Sequence, residues 1–503
     1  MVSDAQPTAS GDRLGERVVS GARWVFLLRV TSIATLWLIS VVLAHLLEKR
    51  QYGLAGMANI IVTLLVVFQD SGLTGALIHR GSKMREAIDS AVVYSAVSGL
   101  VLAAACLLAA PLVGRFFHQH EVTNLVRGLS LVFVFRSISQ VPQAILQKEL
   151  RFKAFALVLV TGSAVQVTTA ISLGASGAGA WSPIIGAIAL EAWCAVWMWP
   201  VSGVRADPRR ASWGTLRELL SYGRGLAGAN AVHTLNQYVD NAVVARQLGP
   251  AQLGAYTIGY QAGKQTLTTL SFSASQLVFP AYTKLRDDLD RFRRAYLRSL
   301  RFIAICASPL AFGLAAVSGT FVDAVYGTKW HAAAPVLTII VLVTLFSTLT
   351  STMGEVMKAL RRPGWVFAVA TIQLILLTSA VLALYSHGIV AVAAGVGAAT
   401  VVVGFVSLVL TERLLHLGWR TWVLTPLPAV VAGAITGLAL FGTDRAVDQS
   451  AAVRLCIEIV EAPLVYLVAL RLVAPERCRE FLVEVGRLTA LSRFSGWLRP
   501  RPD

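Results

Sequence analysis

The sequence predicts an all-α polytopic membrane protein of about fourteen transmembrane helices, built as two six-helix lobes around a central cavity plus two C-terminal helices. Three observations predict it. The chain of 503 residues is 56% hydrophobic and only 14% charged, with a mean hydropathy of +0.66. Apolar runs of about 20 residues, each long enough to cross a hydrocarbon core, recur along it. Between them, lysine and arginine fall on alternate loops, the bias that sets orientation in a bilayer. Basic residues outnumber acidic ones by 44 to 27 but form short scattered clusters, so they do not describe a nucleic-acid-binding face.

The first stretch, "MVSDAQPTASGDRLGER", lacks the apolar core and small-residue cleavage site of a signal peptide. Residues 1–23 are therefore expected to be a cytoplasmic tail, and the first span an uncleaved anchor. Spans over 24–47, 53–78, 87–111, 122–147, 154–174 and 178–200 form the first lobe, 24–205, which ends at the basic break "VSGVRADPRRASWGTLRE". Spans over 218–247, 253–282, 300–325, 333–358, 364–386 and 388–411 form the second lobe, 206–415. Spans over 422–441 and 452–474 occupy 416–474, and the basic tail 475–503 fits an amphipathic helix on the membrane surface.

Loops after even-numbered spans carry Arg80, Lys83 and Arg85; Lys148, Arg151 and Lys153; Arg205, Arg209 and Arg210; the run from Lys284 to Arg301; Lys358, Arg361 and Arg362; and Arg413 and Arg420. The opposing loops are short and poor in charge, as in "GASGAGAWS" and "SHG". Both termini are therefore expected on the cytoplasmic side. The halves also echo one another. "LLEKRQYGLAGM" and "QLGPAQLGAYTI" occupy the same outer turn, with Leu47 and Gly53 matching Leu248 and Gly254 at an offset of 201. Lobes with an even number of helices share one topology and relate by an axis along the membrane normal, which places a site at their interface.

A charge deep in a span faces a protein interior or a water-filled cavity, because lipid penalises it. Arg29, Arg136 and Lys264 are such cations; Arg29 is near enough to the inner surface to snorkel. Asp70, Glu191 and Asp240 are the acidic counterparts, each a candidate ion-coupling group, an internal partner for a cation, or a helix-contact residue. Arg246, Glu355 and Lys358 lie near helix ends and fit interfacial positions. At helical spacing Asn230, His233, Gln237, Asp240 and Asn241 share one face of the seventh helix. Thr257, Gln261, Lys264, Gln265, Thr268, Ser271 and Ser275 share one face of the eighth. An aqueous lumen would accept such stripes, and Ser, Thr and Asn also serve as ordinary interhelical glue. Pro142, Pro183, Pro280, Pro309 and Pro335 are candidate bends. Cys106, Cys194, Cys306, Cys456 and Cys478 show neither metal-ligand spacing nor a disulfide framework, so no metal or cofactor is expected and the cysteines read as small core residues.

Taken in order, "LLEKRQYGLAGM", "LLVVFQDSGLTGALIHR", "VPQAILQKELRFKAFAL", "YVDNAVVARQLGPAQLGAYTIGYQ", "LVFPAYTKLRDD" and "VDAVYGTKWHAAAPVL" resemble the polysaccharide transporter family. That family belongs to the multidrug/oligosaccharidyl-lipid/polysaccharide exporter superfamily, and the likeness is best to its Wzx-type flippases. It runs from about residue 18 to 415. The first outer turn departs from the family's Leu-Gly-Pro pattern with Leu47, Glu48 and Lys49, whereas Leu248, Gly249 and Pro250 keep it.

The resemblance implies a non-enzymatic flippase of the bacterial inner membrane. It would move an undecaprenyl-pyrophosphate-linked oligosaccharide from the cytoplasmic to the periplasmic leaflet by alternating access, for exopolysaccharide, capsule or lipopolysaccharide synthesis. A proton or sodium counter-ion, and polymerase and chain-length machinery, are the partners it implies besides membrane lipid. Arg29, Arg136, Asn230, Gln237, Gln261, Lys264 and Gln265 are then the candidate substrate-binding residues, the cations suiting a pyrophosphate and the amides suiting sugars. A small-molecule antiporter of the same superfamily is the nearest rival, and the deep basic groups favour an anionic head group over a cationic drug. A membrane glycosyltransferase, polymerase or ligase would need catalytic groups on a sizeable loop, and a structural scaffold is the remaining alternative.

Overall fold

The computed structural model describes residues 9–69, 75, 77 and 84–481. Among the described residues there is no strand; long helices are joined by short turns, as backbone groups in hydrocarbon require. The chain divides into two compact units, Met1–Ala255 and Tyr256–Asp503.

The first unit contains α1 (Ala9–Leu46), α2 (Lys49–Gln69), α3 (Met84–Phe116), α4 (His120–Lys148), α5 (Phe152–Ala175), α6 (Trp181–Ser202) and α7 (Trp213–Leu248). In it α4 packs between α3 and α6, α5 packs on α1 and α6, and α7 packs on α2 and α3. The next helix, α8 (Pro250–Leu285), starts in this unit and continues into the second. The second unit adds α9 (Leu289–Ala316), the short α10 (Ser318–Val325), α11 (Ala334–Ala359), α12 (Pro363–Leu384) and α13 (Ile389–Leu415). A six-residue α14 (Trp419–Leu424), then α15 (Leu427–Ala446) and α16 (Ala451–Val473), complete it. Here α9 is central, packed on α11 and α15, while α16 packs on α15 and α10.

Eleven stretches among the described residues are long and apolar enough to cross a membrane. Helices α7, α8 and α16 are as long but more polar: α7 and α8 carry the hydrophilic stripes, and α16 carries Arg454, Glu458 and Glu461 in one stretch. That is why length and apolarity return fewer spans than the fourteen expected. The first helix begins at Ala9, well before the expected span, because its polar opening turns are helical without being hydrophobic. The expected basic tail lies outside the described residues beyond 481, as do Arg80 and Lys83.

Helix ends follow local chemistry. Gly203, with φ of 70°, closes α6 in the left-handed conformation that glycine adopts without strain. The side chain of Asp288 accepts from the Arg291 N–H at 3.0 Å and caps the start of α9. Pro142, Pro280 and Pro309 lie inside continuous helices, together with Pro111, Pro200 and Pro463. Pro183 and Pro335 instead sit in first turns, where no helical hydrogen bond is lost.

Many of the basic loop residues have a structural task at the same ends. Arg151 donates to the carbonyls of Ser202 and Val201 at 2.9 and 2.8 Å, closing α6. Arg293 donates to the Leu415 carbonyl at 2.6 Å, closing α13, and Arg477 to that of Thr425 at 2.7 Å. Cations at helix C-termini satisfy orphan carbonyls and oppose the negative end of the dipole. Burial pushes the Arg477 guanidinium below its ordinary value, the neighbouring Arg301 adds to this, and Glu480 opposes it.

The two echoing turns meet inside the first unit. A side chain at Gly53 would collide with the Pro250 backbone, and Gly56 faces Leu253. Leu47 is buried beside Leu43 and Ala170. Thus the matched Gly53 is required by close backbone approach.

Candidate functional site

On α4, Arg136 meets Glu191 of α6, Nη1 to Oε1 at 3.0 Å, with 31% and 13% of the two side chains exposed. One deep cation and one candidate coupling acid are therefore a single ion pair, 55 residues apart in sequence. Glu191 is the more enclosed partner, so the pair is held from the protein side and reached from the arginine side.

The stripe on α7 grades from exposed to buried. Asn230 and His233 are exposed, and Gln237 shares a 2.9 Å hydrogen bond with His233. At the other end Asp240 is fully buried, its Oδ1 accepting from the Asn241 N–H at 2.8 Å and from Asn241 Nδ2 at 3.0 Å. An acid so placed is costly to leave without donors, and the asparagine beside it supplies two.

On α8, Lys264 donates to the Tyr260 hydroxyl at 3.0 Å and lies 4.9 Å from the centroid of that ring. Both contacts hold the ammonium against the helix one turn back. Gln261 is exposed and Gln265 half-buried, and the Gln265 carbonyl accepts from Thr268 and Thr269 at 3.4 Å. Ser271 donates to Thr348 of α11 at 3.0 Å. The upper part of this stripe thus presents amides and a cation, while its lower part serves helix contact. Arg29 is exposed on α1. Asp70 and the side chain of Ser275 lie outside the described residues.

Two constellations were not singled out in the sequence. In the first unit, Gln69 donates to the Phe133 carbonyl at 2.8 Å, and Gln140 donates to the Gln69 carbonyl at 3.2 Å. Ser95 donates to Gln140 Oε1 at 3.0 Å and to the Ser137 carbonyl at 2.7 Å, so α2, α3 and α4 share one buried polar seam. Its sequence signal is the helical spacing of Phe133, Ser137 and Gln140, opposite Gly99, where a Cβ would strike Ser137. In the second unit, Glu412 accepts from the backbone N–H of Leu417 and Gly418 at 3.2 and 2.8 Å and from Trp422 Nε1 at 2.5 Å. One carboxylate ties the end of α13 to α14.

Chemically, these groups can bind and orient a polar ligand. Amides on two stripes can donate to and accept from sugar hydroxyls. A guanidinium carries five N–H donors in a planar fork, enough to hold a carboxylate and to meet a phosphate oxygen.

Residues 42–335 match the family model described as polysaccharide biosynthesis protein. The chain is 24% identical over 486 residues to the teichuronic acid biosynthesis protein TuaB of Bacillus subtilis, covering 94% of this chain and 99% of that one. It is 25% identical over 351 residues to the lipopolysaccharide biosynthesis protein WzxC of Escherichia coli, covering 69% of this chain and 71% of that one. Among solved structures, the lipid II flippase MurJ in an inward closed conformation matches with a TM-score of 0.71 at 17% identity, over 90% of this chain and 98% of that one. The structural likeness establishes the fold and the family model covers more than half of the sequence: the chain belongs to the polysaccharide biosynthesis protein family, among the polysaccharide transporters of the exporter superfamily it resembles.

Proposed function

We propose that the protein is a flippase that carries undecaprenyl-pyrophosphate-linked oligosaccharide repeat units across the bacterial inner membrane by alternating access. The observation that carries this reading is the partly enclosed Arg136, paired with Glu191, in a chain of the polysaccharide transporter family. The site residues support it in kind. A pyrophosphate leaving water needs cations that are themselves partly desolvated, because charge-assisted hydrogen bonds strengthen where water is scarce. Arg136 and Lys264 are cations of that sort, and each is held by a protein partner in the structure. Asn230, Gln237, Gln261 and Gln265 supply the neutral donors and acceptors that sugar hydroxyls match.

In this reading Glu191 and the substrate phosphate are alternatives for the same guanidinium. Phosphate entering beside Arg136 places two anions on one cation, and protonating Glu191 relieves the repulsion. Proton uptake at Glu191 then accompanies substrate binding and keeps the site's charge balanced. Asp240, enclosed by its asparagine, serves helix packing. Both termini face the cytoplasm, and the polymerase and chain-length machinery receive the product on the other side.

Depletion of the protein in its own cell tests the reading. Lipid-linked oligosaccharide should accumulate on the cytoplasmic leaflet, shielded from an external glycosidase, while its synthesis continues. Unchanged leaflet distribution, with altered tolerance to small toxic cations, would replace the flippase by a drug antiporter.

A further inference from the structure

We propose that Glu458 and Asp444 form a proton-binding pair, a carboxylic acid donating to a carboxylate, at the end of the second unit where α10, α15 and α16 meet. Glu458 lies on α16, about two turns in from its start, and only 2% of it is exposed. Neither of its side-chain oxygens has a hydrogen-bond donor among the described residues. Its charged neighbours are Asp444, Arg454 and Glu461.

The surrounding groups are mostly engaged elsewhere. Arg454, one turn before Glu458, donates through Nη1 to the Asp444 carbonyl at 3.1 Å and reaches Asp444 Oδ1 at 3.5 Å, while its buried Nε meets no acceptor among the described residues. Thr320 of α10 donates to the same Oδ1. Thr443 of α15 donates to Glu461 Oε1 at 3.0 Å. The remaining charged groups on the facing elements are also engaged. Arg445 stacks over the Phe441 ring at 4.2 Å, and Asp323 of α10 accepts from His331 at 3.0 Å. The arginines of α9 lie at the far end of α16, where Tyr466 meets Ile305 and Arg301 pairs with Glu480.

Three carboxylates against one guanidinium would leave two uncompensated negative charges around the buried Glu458, with Asp444 and Glu461 half-buried beside it. A bridging water would satisfy lone pairs without removing that charge, and the carboxylates do not converge as a metal-holding group among the described residues. A proton on Glu458 removes one charge and turns an orphan acceptor into a donor. Its acceptor is Asp444, whose Oδ1 is already fixed by Thr320 and Arg454. Because Asp444 joins α15 to α10 through Thr320, loss of the proton to water sets two like charges against each other at that joint. Proton occupancy therefore acts on how α10 seats against α15 and α16.

Two measurements on the purified full-length protein test this. Infrared spectroscopy should show the carbonyl stretch of a protonated carboxyl on the acid side of neutrality, lost in Glu458→Gln and shifted in Asp444→Asn. Thermal unfolding of the wild type should fall by several degrees as pH is raised through neutrality, whereas Glu458→Gln, which mimics the protonated acid, should follow a flatter curve. A wild-type spectrum unchanged by Glu458→Gln, or coincident pH profiles, would overturn the proposal. So would failure of Glu458→Gln to fold, since an amide has the shape of the neutral acid. These readouts are independent of transport and stand apart from the flippase reading.

Discussion

Breaking the Arg136–Glu191 pair separates a structural charge from a transporting one. At 3.0 Å the gross attraction is about 5.5 kcal/mol for an effective dielectric near 20. Desolvation of the two ions offsets most of it, and an exposed pair nets about 0–1 kcal/mol against about 3–5 lost when one member of a buried pair is removed. With 31% and 13% of the side chains exposed, this pair falls between those limits. Arg136→Gln strands the more enclosed Glu191 and should cost about 2–3 kcal/mol; Glu191→Gln strands the more exposed Arg136 and should cost about 1–2. The double variant removes both charges, so it should lose less than the sum of the two, with a coupling of about 1–2 kcal/mol.

The assay is thermal unfolding in detergent for the four proteins of the cycle, read beside flipping in proteoliposomes. The double variant is the informative one, because it strands neither charge and still lacks the cation. A flipping rate near wild type in the double variant would show that Arg136 is only a packing charge. Additive losses within about 0.5 kcal/mol would show that the two groups do not interact, and would refute the pair itself.

Removing the three hydrogen bonds to the Glu412 carboxylate by Glu412→Ala should lower thermal stability by about 2–4 kcal/mol, with Glu412→Gln losing roughly half as much because one oxygen remains to accept. Gly53→Ala places a methyl group on the Pro250 backbone and should cut membrane abundance sharply, whereas Gly228→Ala, which meets nothing, should leave it unchanged; quantitative blotting distinguishes them. Lys264→Gln should reduce flipping at normal abundance, since its partner Tyr260 can hydrogen-bond an amide as well as an ammonium. Cysteines placed at Arg209 and Lys284 should react with a membrane-impermeant thiol reagent only from the cytoplasmic side, and those at Ser176 and Gly388 only from outside; the reverse pattern would invert the topology.

The helices were legible wherever composition and length coincide. An apolar run between basic turns reads directly as a span, and the echo at Leu47 and Gly53 pointed to a turn whose close packing the structure displays. Polar stretches that are nonetheless helical escaped that reading, which is why α1 starts fifteen residues before its expected span at residue 24. The individual deep charges were legible too, because each stands out against a greasy background. Their partners were not: Arg136 and Glu191 are 55 residues apart, and Glu458 drew no notice because it lies among several charges on one helix. Periodicity reports which face a residue occupies on its own helix and carries no information on which other helix covers that face.

That distinction bears on how a transporter can change shape. A hydrogen bond made within one turn, as Asn241 makes to Asp240 Oδ1, persists whatever the helix does, and contributes rigidity without direction. Where the partners lie on another helix, as in the Arg136–Glu191 pair or the seam of Gln69, Gln140 and Ser95, movement of either helix exposes an unsatisfied group unless something replaces the lost partner. Such interhelical pairs therefore resist motion in the empty protein and yield when a competing ligand arrives. In the proposed flippase a phosphate replaces Glu191 at the partly exposed Arg136, whereas the bond from Gln69 to the Phe133 carbonyl on α4 is fully buried and out of a ligand's reach. Binding energy should accordingly loosen α4 from α6 while leaving α2, α3 and α4 joined, so exchange protection of the backbone on adding substrate should fall along α6 and hold along α3; equal loss in both would place the moving joint elsewhere.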